Sequence, residues 1–216
     1  MRKSIACLLV VGVLELALGA RAGEPTPAGK MVKVVFRNTS PGVQSDSFEG
    51  GPRTLYRLGE GYGRMEYPQD SKGRHPLVVV ASPDSWLVDL AGKTARHQTD
   101  PGPSQLFRAP VVPPETALPA LRALEFGREF EFLEARGATV AEVEAPSGGR
   151  LDRYEAPVGN LRVLVFTKPG ERRVSALEIL EARKVRLSYR YDEYRDDLEP
   201  DLTLFRLPSD VRVLDR

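Results

Sequence analysis

The chain offers one stretch with a helical period, Thr116 to Ala138, against a long succession of short β-branched runs, and that imbalance limits its fold more than any other feature. In TALPALRALEFGREFEFLEARGA, Leu118, Leu121 and Leu124 recur at three-residue steps, and Phe126, Phe130 and Leu133 recur at four and three. Such spacing lines apolar side chains along one helical stripe. Thr116 is a capping residue type, and Pro119 falls in the first turn, where its missing N–H is harmless. Gly137 is placed to end the helix, and Gly127 offers a break into two.

The surroundings read as strand and turn. MVKVVFR, from Met31 to Arg37, is short and β-branched. PRTLYRL and GYGRMEY flank Gly59 and Glu60, a spacing that predicts a hairpin with a two-residue type II′ turn. LVVVAS, Leu77 to Ser82, is continuously apolar, as in a central strand covered on both faces. In SWLVDLAGKTARHQTD, Ser85 to Asp100, Trp86, Val88 and Leu90 alternate with Ser85 and Asp89, Leu87 being the exception, Ala91 and Gly92 turn the chain, and a more polar strand returns. Later, Val185, Leu187, Tyr189 and Tyr191 alternate with Arg186, Ser188 and Arg190, giving one buried and one wet face. Pro169 and Gly170 have the order of a type II turn, whereas ATVAEVEA suits helix as well as strand. The expected fold class is α+β: a strongly curved antiparallel sheet, an unclosed half β-barrel of about nine to eleven strands, with helices covering its concave side.

The first residues predict export. A basic start (Met1, Arg2, Lys3), an apolar run from Ile5 to Gly19 and small residues at Ala20 and Ala22 form a signal-peptide pattern, with cleavage expected after Ala22. Residues 23–30 then read as a disordered leader and 31–216 as one domain. The apolar run is shorter than a membrane span and contains Glu15. Cys7, the only cysteine, lies inside the predicted signal, so the mature chain has no disulfide, thiolate metal site or cysteine nucleophile, which suits a periplasm. Lys and Arg number 31 against 30 Asp and Glu, a balance that steers nothing towards nucleic acid.

Chemical motifs are sparse. His75 and His97 are the only histidines; with Asp100 they could form a metal or acid–base cluster, but no H-x-x-H or H-E-x-x-H spacing is present. There is no G-x-S-x-G elbow, and GEGYG at Gly59 to Gly63 lacks the G-K-[ST] ending of a phosphate loop. DEYRDD, Asp192 to Asp197, has no calcium-loop pattern and reads as a solvated strand end. The expectation is therefore a protein without catalytic residues, bound metal or cofactor, whose function lies in its apolar faces. Leu55, Met65, Val79, Trp86, Val88, Val163, Val165, Leu187 and Tyr189 are the candidate lining of the concave side, with Leu121 and Leu124 on the cover above them. A loose cover would leave a cavity for acyl chains; a tight one would make a core.

The order of elements resembles the periplasmic outer-membrane lipoprotein carrier superfamily, the LolA/LolB-like proteins. RTLYRLGEGYGRMEYP followed by PLVVVASPDSWLVDLAGKTARHQT is similar to that family's run of hairpins. LTLFRLPSDVRVLD resembles its closing F-x-x-P-x-G-V-x-V, with Phe205, Pro208, Val211 and Val213 in place. The resemblance implies a half-barrel whose apolar interior accepts lipid acyl chains, partners that are a lipid or lipidated protein and possibly other envelope proteins, and only transient membrane contact. It also implies a strand arginine that holds the lid shut; Arg57 and Arg64 are the candidates at the rim. The chain departs from the family at Met31 to Gly51, which reads as strand and loop where the family has an amphipathic helix.

Overall fold

The computed structural model describes residues 29–100, 106–113, 119–145 and 148–214. The expected signal peptide, most of the leader, and Thr116 and Leu118 of the helical stretch lie outside the described residues.

Twelve strands form one sheet. Its centre is β1 (Met31–Asn38), which pairs antiparallel with β2 (Arg53–Leu58) on one side and with β11 (Lys184–Leu198) on the other. One wing continues from β2 through β3 (Tyr62–Glu66), β4 (Pro76–Ala81), β5 (Asp84–Asp89) and β6 (Thr94–Thr99). The C-terminal β12 (Arg212–Val213) adds to β6 in parallel. The other wing runs from β11 through β10 (Val174–Glu181), β9 (Leu161–Thr167) and β8 (Arg150–Val158) to β7 (Thr139–Glu144). The outermost strands, β12 and β7, do not pair with one another, so the sheet stays open.

The expected α+β class is corrected. Among the described residues the one α-helix is α1 (Glu129–Ala135), joined by 3₁₀ turns at Pro119–Leu121 and Leu202–Phe205. The stretch expected to be helical is extended in its middle: Phe126 N–H donates to Ala109 C=O at 2.9 Å and Val111 N–H to Leu124 C=O at 3.0 Å. Gly127, at φ +78°, then breaks the chain before α1. The leucine spacing marked burial, since Leu121 and Leu124 are both buried, and burial alone does not specify a helix. The ambiguous ATVAEVEA segment is β7, and the strand count exceeds the expected range.

Two turns also differ from expectation. Residues 59–61 separate β2 from β3, so that hairpin loop has three residues, with Gly59 at φ +59°. Between β5 and β6 the positive φ falls on Lys93, not Gly92. Gly92 serves by its lack of a side chain, because a Cβ there would lie 2.8 Å from Asp89 Oδ2. Gly170 has the positive φ of a type II turn, as expected.

Strand alternation gives the sheet two dissimilar faces. Val34, Leu55, Met65, Val78 and Leu87 lie opposite one another across β1–β5, and Tyr189, Leu177 and Val165 continue that face in the other wing. Side chains from both wings converge on the same cover, residues 106–113 and 119–136, in one apolar core. We call this the concave face and the segment its lid. On the outer face Leu58, Leu77, Val79 and Val88 form a second core around Phe205 of the C-terminal segment. No described helix is long and apolar enough to cross a membrane.

Candidate functional site

The described strands of the sheet bury one charged side chain, that of Arg57. Arg57 on β2 pairs across the ladder with Gly63 on β3, so no side chain opposes it and the Phe107 ring fills the space. A Cβ on Gly63 would fall 2.0 Å from Phe107 Cγ. The Arg57 guanidinium lies 5.2 Å from the Phe107 ring centroid and donates through Nη2 to Glu125 Oε2 at 2.6 Å. Both side chains are about as buried as any in the core, Arg57 and Glu125 each having 3% of their surface exposed. Arg108, half exposed, bonds the other Glu125 oxygen. Phe107, Arg108 and Glu125 all belong to the lid, so the lid is fastened to the wall through a buried ion pair.

A second buried acid lies next in the lid. Glu129 is fully buried; its Oε1 accepts from Tyr191 Oη at 2.5 Å and from Gly127 N–H at 3.0 Å. Tyr194 lies close to the same carboxyl. Burial pushes the Glu129 pKa up, against the opposing pull of the Tyr191 bond. Burial, followed by the Glu129 charge, pushes Tyr191 and Tyr194 up as well, so both phenols stay protonated. Three buried polar atoms here have no protein partner: Arg57 Nε and Nη1 and Glu129 Oε2. Such atoms are uncommon in folded interiors and mark a joint that is less than fully satisfied.

The lid has further attachments at its rim. Phe107 N–H donates to Glu60 C=O at 2.7 Å, Arg128 Nη1 reaches the Glu60 carboxylate at 3.1 Å, and Tyr189 Oη donates to Val111 C=O at 3.2 Å. Beneath it Phe126 stacks on Phe36 with centroids 3.8 Å apart. The concave interior is thus occupied by the lid's own side chains.

The residues expected to line one pocket divide between the two faces. Leu55, Met65, Leu121, Leu124, Val163, Val165 and Tyr189 share the concave core, with Leu187 packed against it. Val79, Trp86 and Val88 belong to the outer core. Register explains the split: Leu55 is level with Met65, Val78 and Leu87, so Val79, Trp86 and Val88 point the other way. The arginines divide likewise. Arg57 is buried beneath the lid, whereas Arg64 lies on the outer face, where it donates to Leu204 C=O at 3.4 Å and Glu66 at 3.3 Å. Glu125 and Glu129, the acids that complete the site, were missed; acids on a periodic apolar stripe were the available signal.

The histidines have separate partners. His97 Nε2 is 2.8 Å from Asp84 Oδ1, which also accepts from Thr99 Oγ1 at 2.7 Å, and the imidazole stacks on Trp86. These bonds hold the Asp84 carboxyl below its usual range, that from Thr99 most strongly. His75 pairs with Glu66 at 3.2 Å. Asp100 N–H donates to Pro83 C=O. Among the described residues no group of three or more His, Cys, Asp or Glu could hold a metal ion. Elsewhere on the concave side, an open cleft of about 930 Å³ borders β4–β6, lined by Phe48, Gln69, Arg74, Leu87, Arg96 and Leu214.

No family model matches the chain, and no curated protein matches it. Among solved structures, an uncharacterized conserved protein from Thermus thermophilus is similar with a TM-score of 0.46 at 12% identity, covering 88% of this chain and 93% of that one. The LolA superfamily protein NE2245 from Nitrosomonas europaea is similar with a TM-score of 0.34 at 10% identity, covering 83% and 90%. PNGF-II is similar with a TM-score of 0.33 at 6% identity, over 87% of this chain but only 31% of that one. Likeness at this level carries neither family nor function over to this chain.

Proposed function

We propose that this is an exported, non-enzymatic binding or carrier protein of the cell envelope that takes an acyl chain of a lipid or lipidated protein onto its concave face when the lid is displaced. The observation that carries the reading is the mismatch between face and cover. The face is apolar across both wings, through Val34, Phe36, Leu55, Val163, Val165 and Leu177. Its cover is an irregular segment that packs Phe107, Leu121, Leu124, Phe126 and Phe130 onto that face and is fastened by one buried ion pair. Each methylene buried contributes about 0.8 kcal/mol, so an acyl chain could replace lid side chains at little net cost in apolar contact. Near balance of that kind is what reversible loading requires.

The test is native mass spectrometry of the purified full chain, followed by titration with a fluorescent acyl probe. Co-purifying lipid, or probe uptake that a long-chain amphiphile reverses, supports the reading. Full burial of Leu55 and Leu124 favours a competing one, a purely structural envelope protein. A bare polypeptide mass with no probe uptake would decide for that alternative.

A further inference from the structure

We infer that the cargo of the concave face carries an oxyanion head, and that Arg57 receives it at the place which Glu125 of the lid fills in the closed structure. The inference rests on the carrier reading. Arginine presents five N–H donors in a rigid fork that matches carboxylate and phosphate oxygens in pairs. Arg57 uses one of its nitrogens on Glu125, at 2.6 Å, while Nε and Nη1 are buried without a protein partner. The fork is therefore under-used in the closed state.

What surrounds Arg57 sets the demand for an anion. Glu125, Arg108 and Phe107 are all carried by the lid, and they leave with it. Glu129 is on the lid too, bound to Tyr191 and Gly127, and no bond from it fills the free nitrogens. Arg57 stays behind on β2, its cross-strand neighbours Gly63 and Val32 and its nearby sheet residues Leu55, Met65 and Val80 all without charge. Once a cargo chain covers that face, a guanidinium buried beneath it without a counter-charge is strongly disfavoured. An amphiphile whose head is a carboxylate or a phosphate monoester supplies that charge and fills both free donors, while its chain covers the apolar face. A neutral head does neither. The lid thus competes with cargo using the same chemical group, the Glu125 carboxylate.

Calorimetric titration of the full chain with dodecanoate, dodecyl phosphate, dodecanol and acetate tests this. Dodecanoate and dodecyl phosphate are expected to bind about tenfold or more tighter than dodecanol, as one to two extra charge-assisted hydrogen bonds imply. Acetate is expected not to bind measurably. Arg57→Gln should bring the three long-chain ligands to similar affinity, and Glu125→Gln should raise affinity for the two anions by weakening their competitor. Equal binding of dodecanol and dodecanoate by the unaltered protein overturns the head-group inference and leaves the carrier reading standing. Acetate binding as tightly as dodecanoate overturns it in favour of a free-anion site. Binding of none of the four overturns both. The unaltered protein alone decides these outcomes, so a variant that fails to fold does not remove the test.

Discussion

The two covers of the sheet are built on different principles. The C-terminal segment crosses the outer face with Phe205 almost fully buried among Leu58, Leu77 and Val79, and with Leu202, Leu204, Leu207 and Val211 packed beside it. It then joins the sheet itself, Arg212 N–H donating to Lys93 C=O and Leu214 N–H to Ala95 C=O. The lid also packs apolar side chains but buries two carboxyls and a guanidinium, three of whose polar atoms lack protein partners. Apolar contact combined with strand pairing has no weak point, whereas a buried charged joint separates into groups that water or a ligand can satisfy. On the carrier reading proposed above, the outer cover is part of the fold and the lid is the part that cargo displaces.

The largest expected effect falls on the outer cover. Phe205→Ala deletes a buried ring contact and is expected to cost about 3–5 kcal/mol, read as a lowered urea midpoint with an unchanged slope. A loss below about 1 kcal/mol would mean that this cover detaches as easily as the lid, and the comparison would collapse. Next comes the joint. Arg57→Met leaves Glu125 with the half-exposed Arg108 as its one charged partner beside the Ala109 N–H, and about 3 kcal/mol should be lost. The double variant Arg57→Met/Glu125→Met should recover to within about 1 kcal/mol of the unaltered protein, or exceed it, because an apolar pair of similar volume suits a buried site. A double variant no more stable than the single one would show that the pair contributes net stability.

A third substitution sharpens the contrast by acting on the lid alone. Gly63→Ala puts a methyl group into the Phe107 ring, where the nearest atoms would be 2.0 and 2.2 Å away. Phe107 must leave its seat, at about 1–3 kcal/mol. Increased binding of a hydrophobic dye is expected, with stability restored when Phe107→Ala is added. Unchanged dye binding would mean that the lid re-seats without exposing the concave face.

Most of the sheet was legible in the sequence because alternation within a strand is a local property. Val185, Leu187, Tyr189 and Tyr191 announced a wet and a dry side, and the hairpin of β5 and β6 followed from Trp86, Val88 and the turn near Gly92. Parity between strands was not legible. Whether Trp86 shares a face with Leu55 depends on turn length and register through β3 and β4, and an error of one residue inverts a whole strand. The lid was misread for a related reason. Leucines three apart are buried equally well by a helix or by a bent segment, and Gly127 and the bridge from Pro110 to Glu125 decide for the bent one. Arg57 was legible as a strand arginine of unusual interest, but not its depth, which depends on Gly63 across the ladder and on Phe107 far along the chain.

Proton uptake separates the covers most finely. Glu129 in the lid has its pKa raised by burial, so between its unfolded value near 4.5 and its folded value the native state holds a proton that the unfolded chain has released. Stability from this group is complete below pH 4.5 and declines as pH rises through the folded value, by at most about 1.4 kcal/mol per pH unit. Tyr191 and Tyr194, which face it from β11, remain neutral throughout that window. Asp201 in the outer cover behaves oppositely: bonds from Thr203 lower its pKa below 3.8, so its contribution is present above 3.8 and lost as pH falls through the lowered value. Urea midpoints measured across pH should therefore decline on the alkaline side of 4.5 in the unaltered chain and lose that decline in Glu129→Gln, while Asp201→Asn should change the acid limb alone. If Glu129→Gln leaves the alkaline slope in place, the buried carboxyl is not what makes the lid the weaker cover.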